Sequence, residues 1–463
     1  MTKTGIHFEV SERKILLRLM DLIFVLLGNY GLELFFDYTY LTVNQNHLVE
    51  IAVLIVYLSI FGSIFEIYDL QKASKIDITF RNIVLTASIT VLFYLLTPVF
   101  TPFLPPNRLQ IIYFYIVIVL SIFLWRLIYT TFITSPRFYK KVLLVGEISN
   151  IDSIIKPLNQ ADPNYKIIGF INCEKEREDP IKFKGLKEFK PEELSQVILD
   201  YQISEILVAS YNSETITADI YYDLIGLLER GFIIREYTQV YEELTSRVPV
   251  QFVGKDFYKY FPFSRSNQNA LYQFFHRLFD VVFSVLGLVF GVLITPLILI
   301  GNLIGNRGSL FYTQDRVGKN SELFQIIKLR TMVPHTNPAI EEWTQNHDLR
   351  ITPFGNFLRR SRLDEIPQFI NVLKGEMSII GPRPERPYFV NELSRVIPFY
   401  ETRHIINPGL TGWAQVNYRY GASVDDSLIK LQYDLYYIKH RSLFLDINIL
   451  MKTLSTILYY RGQ

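Results

Sequence analysis

The stretch Val281–Ile304, VVFSVLGLVFGVLITPLILIGNLI, carries no charged side chain over a length that can cross a bilayer. If it crossed, everything after it would lie on the far side. Yet Arg277 precedes it, and Arg307, Arg316 and Lys319 follow it. Basic flanks on both sides suit a segment that enters and leaves by one face. Thr295-Pro296 falls near its middle, and proline removes a backbone donor and clashes with the preceding turn, so a sharp kink is expected. The reading is a re-entrant helix–break–helix over about 278–304, with a spanning helix as the alternative. Lipid offers the freed backbone groups no partners, which makes Thr295 and Ser284 the candidates to satisfy them.

Four further apolar segments fill the first third: Ile15–Phe36, Leu48–Ile67, Ile83–Phe100 and Leu109–Ile133. Each is close to the ~20 residues that span a ~30 Å hydrocarbon core. The first holds Asp21 and Glu33, the fourth Arg126. Lys3, Arg13, Lys14 and Arg18 precede the bundle, Lys72, Lys75 and Arg81 lie in its second connection, and Arg137, Lys140 and Lys141 follow it. The first connection has no basic residue and the third has one, so the positive-inside rule puts both ends of the bundle in the cytoplasm. This alternation argues against a soluble all-helical core. The long first run, with no small-residue cleavage site after it, does not read as a cleaved signal peptide.

Residues 138–260 change character. KVLLVGE (Lys141–Glu147), YKIIGFI (Tyr165–Ile171), EILVAS (Glu205–Ser210) and FIIREY (Phe232–Tyr237) are short β-rich runs separated by polar helical stretches, a Rossmann-like α/β pattern. After the first strand comes Gly146-Glu147-Ile148-Ser149-Asn150-Ile151, without the second and third glycines of a dinucleotide fingerprint. A structural or regulatory module is expected rather than an NAD(P) site. Residues 261–275 read as a linker into a last domain, 276–463, and residues 1–137 form the four-helix transmembrane domain. The fold class is a multi-domain membrane protein: bundle, cytoplasmic α/β module, and a mostly α catalytic domain with a re-entrant membrane helix.

The chemistry concentrates in FLRRSRLDEIPQFINVLKGEMSIIGPRPERP, where Asp364 and Glu365 lie among Arg359, Arg360, Arg362, Arg383 and Arg386. Thr352-Pro353 reads as N-cap and first residue of a short helix. IPQFINVLKG reads as another, ended by Gly375. The pair then lies at a helix N-terminus, which favours an anion and is expected to keep Asp364 ionised. Prolines stiffen the backbone around Arg383 and Arg386, and arginine can grip phosphate oxygens with two parallel bonds. Cations that hold phosphates, beside acids that hold Mg²⁺ or attack phosphorus, suggest phosphoryl chemistry. The charge pattern alone fits a solvated salt-bridge network equally well. One cysteine, Cys173, excludes an intramolecular disulfide, no HExxH or Cys-rich zinc site is present, and a net charge of +2 says little about partners; no nucleic-acid partner is expected.

HRLFDVVFSVLGLVFGVLITP, FYTQDRVGKNSELFQIIKLRTM, the acidic segment itself, NPGLTGWAQVNYRYG and LQYDLYYIKHRSLFLD together resemble the bacterial sugar transferases, the monotopic phosphoglycosyl transferases that load undecaprenyl phosphate. The resemblance covers His276–Gln463, and the bundle and α/β module before it are similar to the family's large form. It implies transfer of a sugar 1-phosphate, glucose or galactose by family precedent, from a UDP-sugar to undecaprenyl phosphate. UMP is released, a covalent phospho-aspartate forms, Mg²⁺ is required, and a polysaccharide repeat unit begins. It implies Asp364 as nucleophile, Glu365 as partner and metal ligand with it, and Arg359 and Arg383 as phosphate-binding residues. Arg277 and Asp280 match a charged pair opening the re-entrant helix, and Thr295-Pro296 stands where the family often has Ser-Pro. Lys328, Arg330 and Thr331 match positions near the nucleotide or metal. A homodimer in the bacterial inner membrane, with its catalytic domain on the cytoplasmic face, is likewise implied. Two other classes stay open: a membrane-anchored nucleotide-sensing regulator, and a glycosyltransferase that moves only the sugar and releases UDP.

Overall fold

The computed structural model describes residues 9–36, 38–73, 76–133, 139–146, 151–173, 186–209, 218–252, 269–306, 308–333, 350–418, 421 and 423–458. Lys3, Lys75, Arg137, Glu147–Asn150, Arg307 and residues 261–268 lie outside these ranges. The chain forms two compact units, Met1–Thr245 and Ser246–Gln463.

The first unit opens with four long apolar helices: α1 (Val10–Phe35), α2 (Leu48–Ile64), α3 (Ile76–Leu96) and α4 (Leu109–Ile128), the last prolonged by a wider turn to Ile133. Each is long and apolar enough to cross a membrane. Their burial is inverted relative to a water-soluble bundle. On α1 the buried stripe is Arg13, Leu17, Asp21, Val25 and Asn29, one residue every four. Ile15, Leu19, Ile23 and Leu27 face outward. Asn82, Thr86, Thr90, Gln110 and Arg126 are buried on the other helices. Polar groups inside and leucine, isoleucine and phenylalanine outside is the distribution lipid imposes, because hydrocarbon can satisfy no polar group. The chain is a membrane protein. At the centre Arg126 Nη2 donates to Asp21 Oδ2 at 2.7 Å and to the Ile67 carbonyl at 3.1 Å, closing α4 onto α1.

The rest of this unit is a five-stranded parallel sheet, order β3-β2-β1-β4-β5. Its strands are β1 (Lys140–Gly146), β2 (Tyr165–Asn172), β3 (Lys187–Phe189), β4 (Glu205–Ala209) and β5 (Ile233–Glu236). Helices α5 (Ile151–Ala161), α6 (Leu194–Tyr201), α7 (Ala218–Glu229) and α8 (Tyr237–Thr245) accompany them. β1 ends at Gly146 with φ 149°, where an added Cβ would lie 2.1 Å from the Ala209 carbonyl of β4, so only glycine fits. Arg13 of α1 pairs with Asp162, just after α5, and both are buried, which ties the apolar helices to the sheet module.

The second unit begins earlier than the sequence suggested. Val248 and Val250, assigned to the α/β module, lie in this unit's core. Val248 N donates to the Gln432 carbonyl, and Trp413 Nε1 to the Ser246 carbonyl. Residues 270–275, read as the end of a linker, are helical. Asn269 accepts from Leu271 N and Tyr272 N and so caps α9 (Ala270–Gly301). After α9 come the antiparallel hairpin β6 (Phe311–Val317) and β7 (Leu323–Leu329), α10 (Pro353–Arg360) and α11 (Gln368–Lys374). The short strands β8 (Ser378–Ile380) and β9 (Gly409–Thr411) pair in parallel around α12 (Pro387–Val396). α13 (Trp413–Asn417), α14 (Val424–His440) and α15 (Leu443–Leu458) complete it.

The helical assignment of α9 is continuous through Pro296, where a break was expected. Thr295 Oγ1 donates to the Gly291 carbonyl at 2.8 Å, while Ser284 Oγ is buried without a partner among the described residues. One face of α9 lies on its own domain along the length of the helix. Arg277 donates to the carbonyls of Val372 and Leu373, and Asp280 accepts from Ser378 Oγ and Ile379 N. A Cβ on Gly287 would lie 2.3 Å from the Phe369 ring, on Gly291 2.7 Å from Ile366, and on Gly301 2.3 Å from the Phe354 ring. The opposite face, with Val285, Leu286, Val289, Val292, Leu293 and Leu297, is bare.

Two outcomes follow for the purified protein in detergent. Arg126→Leu leaves Asp21 buried and unpaired, so thermal denaturation should show a loss of about 3–5 kcal/mol. Asp21→Leu combined with Arg126→Leu should recover most of it, and an equal loss in the double variant would refute the pairing as the cause. Gly287→Val should push α9 off α11 and cost roughly 1–3 kcal/mol by overpacking, read as a lowered Tm. The exposed Val292→Ala should do neither.

Candidate active site

The acidic pair lies on a turn shaped by its flanks. The Thr352 hydroxyl accepts from Gly355 N at 2.8 Å and Pro353 takes the first helical position, which starts α10 where the sequence indicated. Beyond α10, Arg362 is left-handed, φ 58° and ψ 14°. That costs a non-glycine residue about 1–2 kcal/mol, and such strain gathers at functional sites. It turns the chain into a single tight turn, Leu363–Glu365, which leads through Pro367 into α11. Gly375, φ 85°, ends α11 as expected.

Both carboxyl groups are buried, Asp364 at 7% and Glu365 at 8% exposure, yet their surroundings differ. Glu365 Oε1 is 3.3 Å from Lys328 Nζ and 3.5 Å from Arg383 Nη2, and its Oε2 is 3.3 Å from Arg362 Nη1. Burial raises its pKa, but Lys328, Arg383 and Arg362 together outweigh burial and hold it below the usual carboxylate range. For Asp364, burial and then the Glu365 charge push the pKa up, against Lys328, Arg359 and Arg362. The expected stabilisation of ionised Asp364 by a helix terminus is outweighed, since the pair is buried and two like charges are adjacent. Asp364 Oδ1 is buried and has no hydrogen-bond partner among the described residues. The pair is thus one clamped anion beside one carboxyl with an open oxygen.

The clamp is itself braced. Asn371 of α11 donates to the Gln325 carbonyl at 2.7 Å and accepts from Ile327 N at 3.1 Å, which fastens α11 to β7 beside Lys328. Arg403 donates to the Arg383 carbonyl at 3.1 Å, to Asp434 Oδ2 at 2.7 Å and to Tyr400 Oη at 2.7 Å. Arg316 donates to the Pro384 carbonyl. These bonds hold the proline-rich loop that carries Arg383.

Of the residues singled out from sequence, Lys328, Arg362 and Arg383 meet Glu365, and Arg359 acts on Asp364 through its charge. Others stand apart. The Arg330 guanidinium lies against Gly308, Arg386 over the Phe389 ring, and Arg360 is exposed. Arg277 and Asp280 anchor α9 to the α11–β8 segment. Thr295 and Pro296 lie further along the same helix. Asn371, Arg403 and Asp434 were missed. An asparagine inside the apolar run FINVLKG was the one local signal, whereas Arg403 and Asp434 are linked to the site only through space.

A sequence profile of the family described as bacterial sugar transferase matches residues 271–460. Among curated proteins, the UDP-N-acetylgalactosamine-undecaprenyl-phosphate N-acetylgalactosaminephosphotransferase of Aeromonas hydrophila is 40% identical over 223 residues, 48% of this chain and 51% of that protein. The UDP-glucose:undecaprenyl-phosphate glucose-1-phosphate transferase of Xanthomonas campestris pv. campestris is 43% identical over 165 residues, 35% of this chain and 34% of that protein. The matches thus span about half and a third of these two relatives. The exopolysaccharide production protein ExoY of Sinorhizobium fredii is 34% identical over 205 residues, 40% of this chain and 87% of that protein. With nearly the whole of that relative matched, and with the matched span carrying the acidic pair and its cations, the chain belongs to the bacterial sugar transferase family.

Proposed function

We propose that this protein transfers a sugar 1-phosphate from a UDP-sugar to undecaprenyl phosphate and releases UMP, by way of a phosphoryl group carried on Asp364. The observation that supports this most is the division of the pair, with Glu365 clamped by Lys328, Arg362 and Arg383 and Asp364 Oδ1 buried and unbonded. A carboxylate oxygen of Asp364 attacks the sugar-bearing phosphorus, an Asp–O–P bond forms, and the bond to the UMP oxygen breaks. A phosphate oxygen of the lipid then attacks that phosphorus and Asp364 leaves as carboxylate. Both substrates are anionic, and the cations around the pair offset their repulsion. The names of the Aeromonas and Xanthomonas relatives give N-acetylgalactosamine and glucose, which supports a hexose or N-acetylhexosamine donor here.

Mg²⁺ fits the site. Among the described residues no third acidic, histidine or cysteine ligand joins the two carboxyl groups, and Mg²⁺ needs only one or two carboxylates when phosphate oxygens and water complete its shell. Asp364, through its open Oδ1, and Glu365 would hold it. When bound it supplies further neutralisation of the phosphates.

The four helices of the first unit form the transmembrane bundle, and α9 enters and leaves by the cytoplasmic face. The support is its packing. A spanning helix needs ~20 residues surrounded by lipid, whereas α9 touches its own domain from Arg277 to Gly301.

Incubation with a panel of UDP-glucose, UDP-galactose and UDP-N-acetylgalactosamine, without lipid acceptor, should release about one UMP per active site and leave a sugar-phosphate mass adduct on Asp364. Asp364→Asn should lower turnover by about three orders of magnitude or more while UDP-sugar binding survives. Release of UDP, or an adduct on any other residue, would refute the reading. A reporter fused after Gln463 should register as cytoplasmic; a periplasmic signal would remove α9's same-face entry and access to UDP-sugars together.

A further inference from the structure

One buried side chain, a helical turn beyond Asp364, has an amide nitrogen with no acceptor among the described residues. Gln368 opens α11 four residues after Asp364 and is 3% exposed. Ile366 and Pro367 both have right-handed helical dihedrals, so the backbone winds from the acidic turn into α11. Residues four apart on such a backbone share a face. Among the described residues the buried Gln368 amide nitrogen donates to nothing, and the buried Asp364 Oδ1 accepts from nothing. An unmet donor and an unmet acceptor therefore lie one turn apart. A buried hydrogen bond left unmade is costly, and folded proteins rarely keep one without a use. Asn371, on the next turn, shows what a structural amide does at this depth, because both ends of its side chain are bonded.

We propose that Gln368 is a catalytic residue of the site, whose amide N–H donates to a non-bridging oxygen of the phosphoryl group while that group is carried on Asp364. This rests on the covalent route proposed above. Gln368 makes and breaks no covalent bond; it gains an acceptor when the Asp–O–P bond forms and loses it when the lipid phosphate displaces Asp364. The acceptor is anionic, so the bond is charge-assisted. The donor is already fixed in a dry site and needs no reorganisation as charge develops. A neutral amide also does this without adding a cation to compete with Lys328, Arg362 and Arg383 for Glu365.

The test uses the full chain in detergent with UDP-sugar and no acceptor, and follows the first-turnover release of UMP. Gln368→Met keeps the length of the side chain and removes the donor. Its burst rate should fall by about a hundredfold, with the UDP-sugar KM changed by less than about threefold. Its Tm should be equal to or above that of the wild type, since an apolar replacement abolishes an unmet buried donor. Gln368→Glu, which places an anion where the donor stood, should be slower still. A Gln368→Met burst within about twofold of the wild type, or a slower burst that tracks a lowered Tm, would overturn the assignment and leave the covalent route standing. Wild-type turnover with no burst and no adduct would overturn the covalent route and the assignment with it.

Discussion

Two adjacent buried carboxyl groups repel each other, and the rest of the second unit is arranged around that repulsion. Away from bulk water their interaction is several times stronger than at a surface, so both cannot be equally at ease as anions. The cations settle the matter unequally. Lys328 comes from β7, Arg362 from the strained turn and Arg383 from the proline-rich loop, and all three reach Glu365. Asp364 keeps an unbonded oxygen. Each cation must be held against the pull of solvent, which is the work of Asn371 at β7 and of Arg403, Asp434 and Arg316 behind the loop. A well-bonded glutamate beside an under-bonded aspartate is a structural asymmetry that chemistry can use.

The first unit meets a similar problem in a different solvent. Asp21 and Arg126 are buried among helices whose outer faces are leucine, isoleucine and phenylalanine. In water the outer faces would drive association, and in lipid they are simply solvated. The inner pair then has no competitor for its hydrogen bonds and closes α1 on α4. Burial alone would make it a costly feature; the surrounding hydrocarbon makes breaking it costlier.

What the sequence shows follows from distance along the chain. The helix cap at Thr352, the stop at Gly375 and the apolar helices are local patterns, and the structure bears each of them out; the acidic pair is as easily read from adjacent letters. The left-handed Arg362 carries no such mark, because arginine has no preference for that conformation. The Asn371 bond to Ile327 and the Arg403 bonds to Arg383 and Asp434 join residues far apart in sequence. A single sequence has no means to pair them. The module was read as running to 260, whereas the units divide at Thr245/Ser246, because Val248 reads as an ordinary valine until Gln432 is seen to receive its N–H. The start of α9 was misjudged through its cap, as Asn269 lies in a polar stretch that resembles a linker.

Glycine in α9 connects the two halves of the chemistry. Packed helix axes usually lie 8–10 Å apart, depending on the side chains between them. Where Gly287 meets Phe369 and Gly291 meets Ile366 there is no room for a Cβ, so α9 comes as near to the acidic turn as a helix can. Ile366 is the residue after Glu365. On its other face the same helix presents Val285, Leu286, Val289, Val292 and Leu293 bare. One helix thickness, thinned by glycine, therefore separates an exposed apolar face from two buried carboxyl groups set among cations. A phosphate carried on a lipid suits both at once. A water-soluble acceptor would make no use of the bare face, and a wholly lipidic substrate would make none of the arginines.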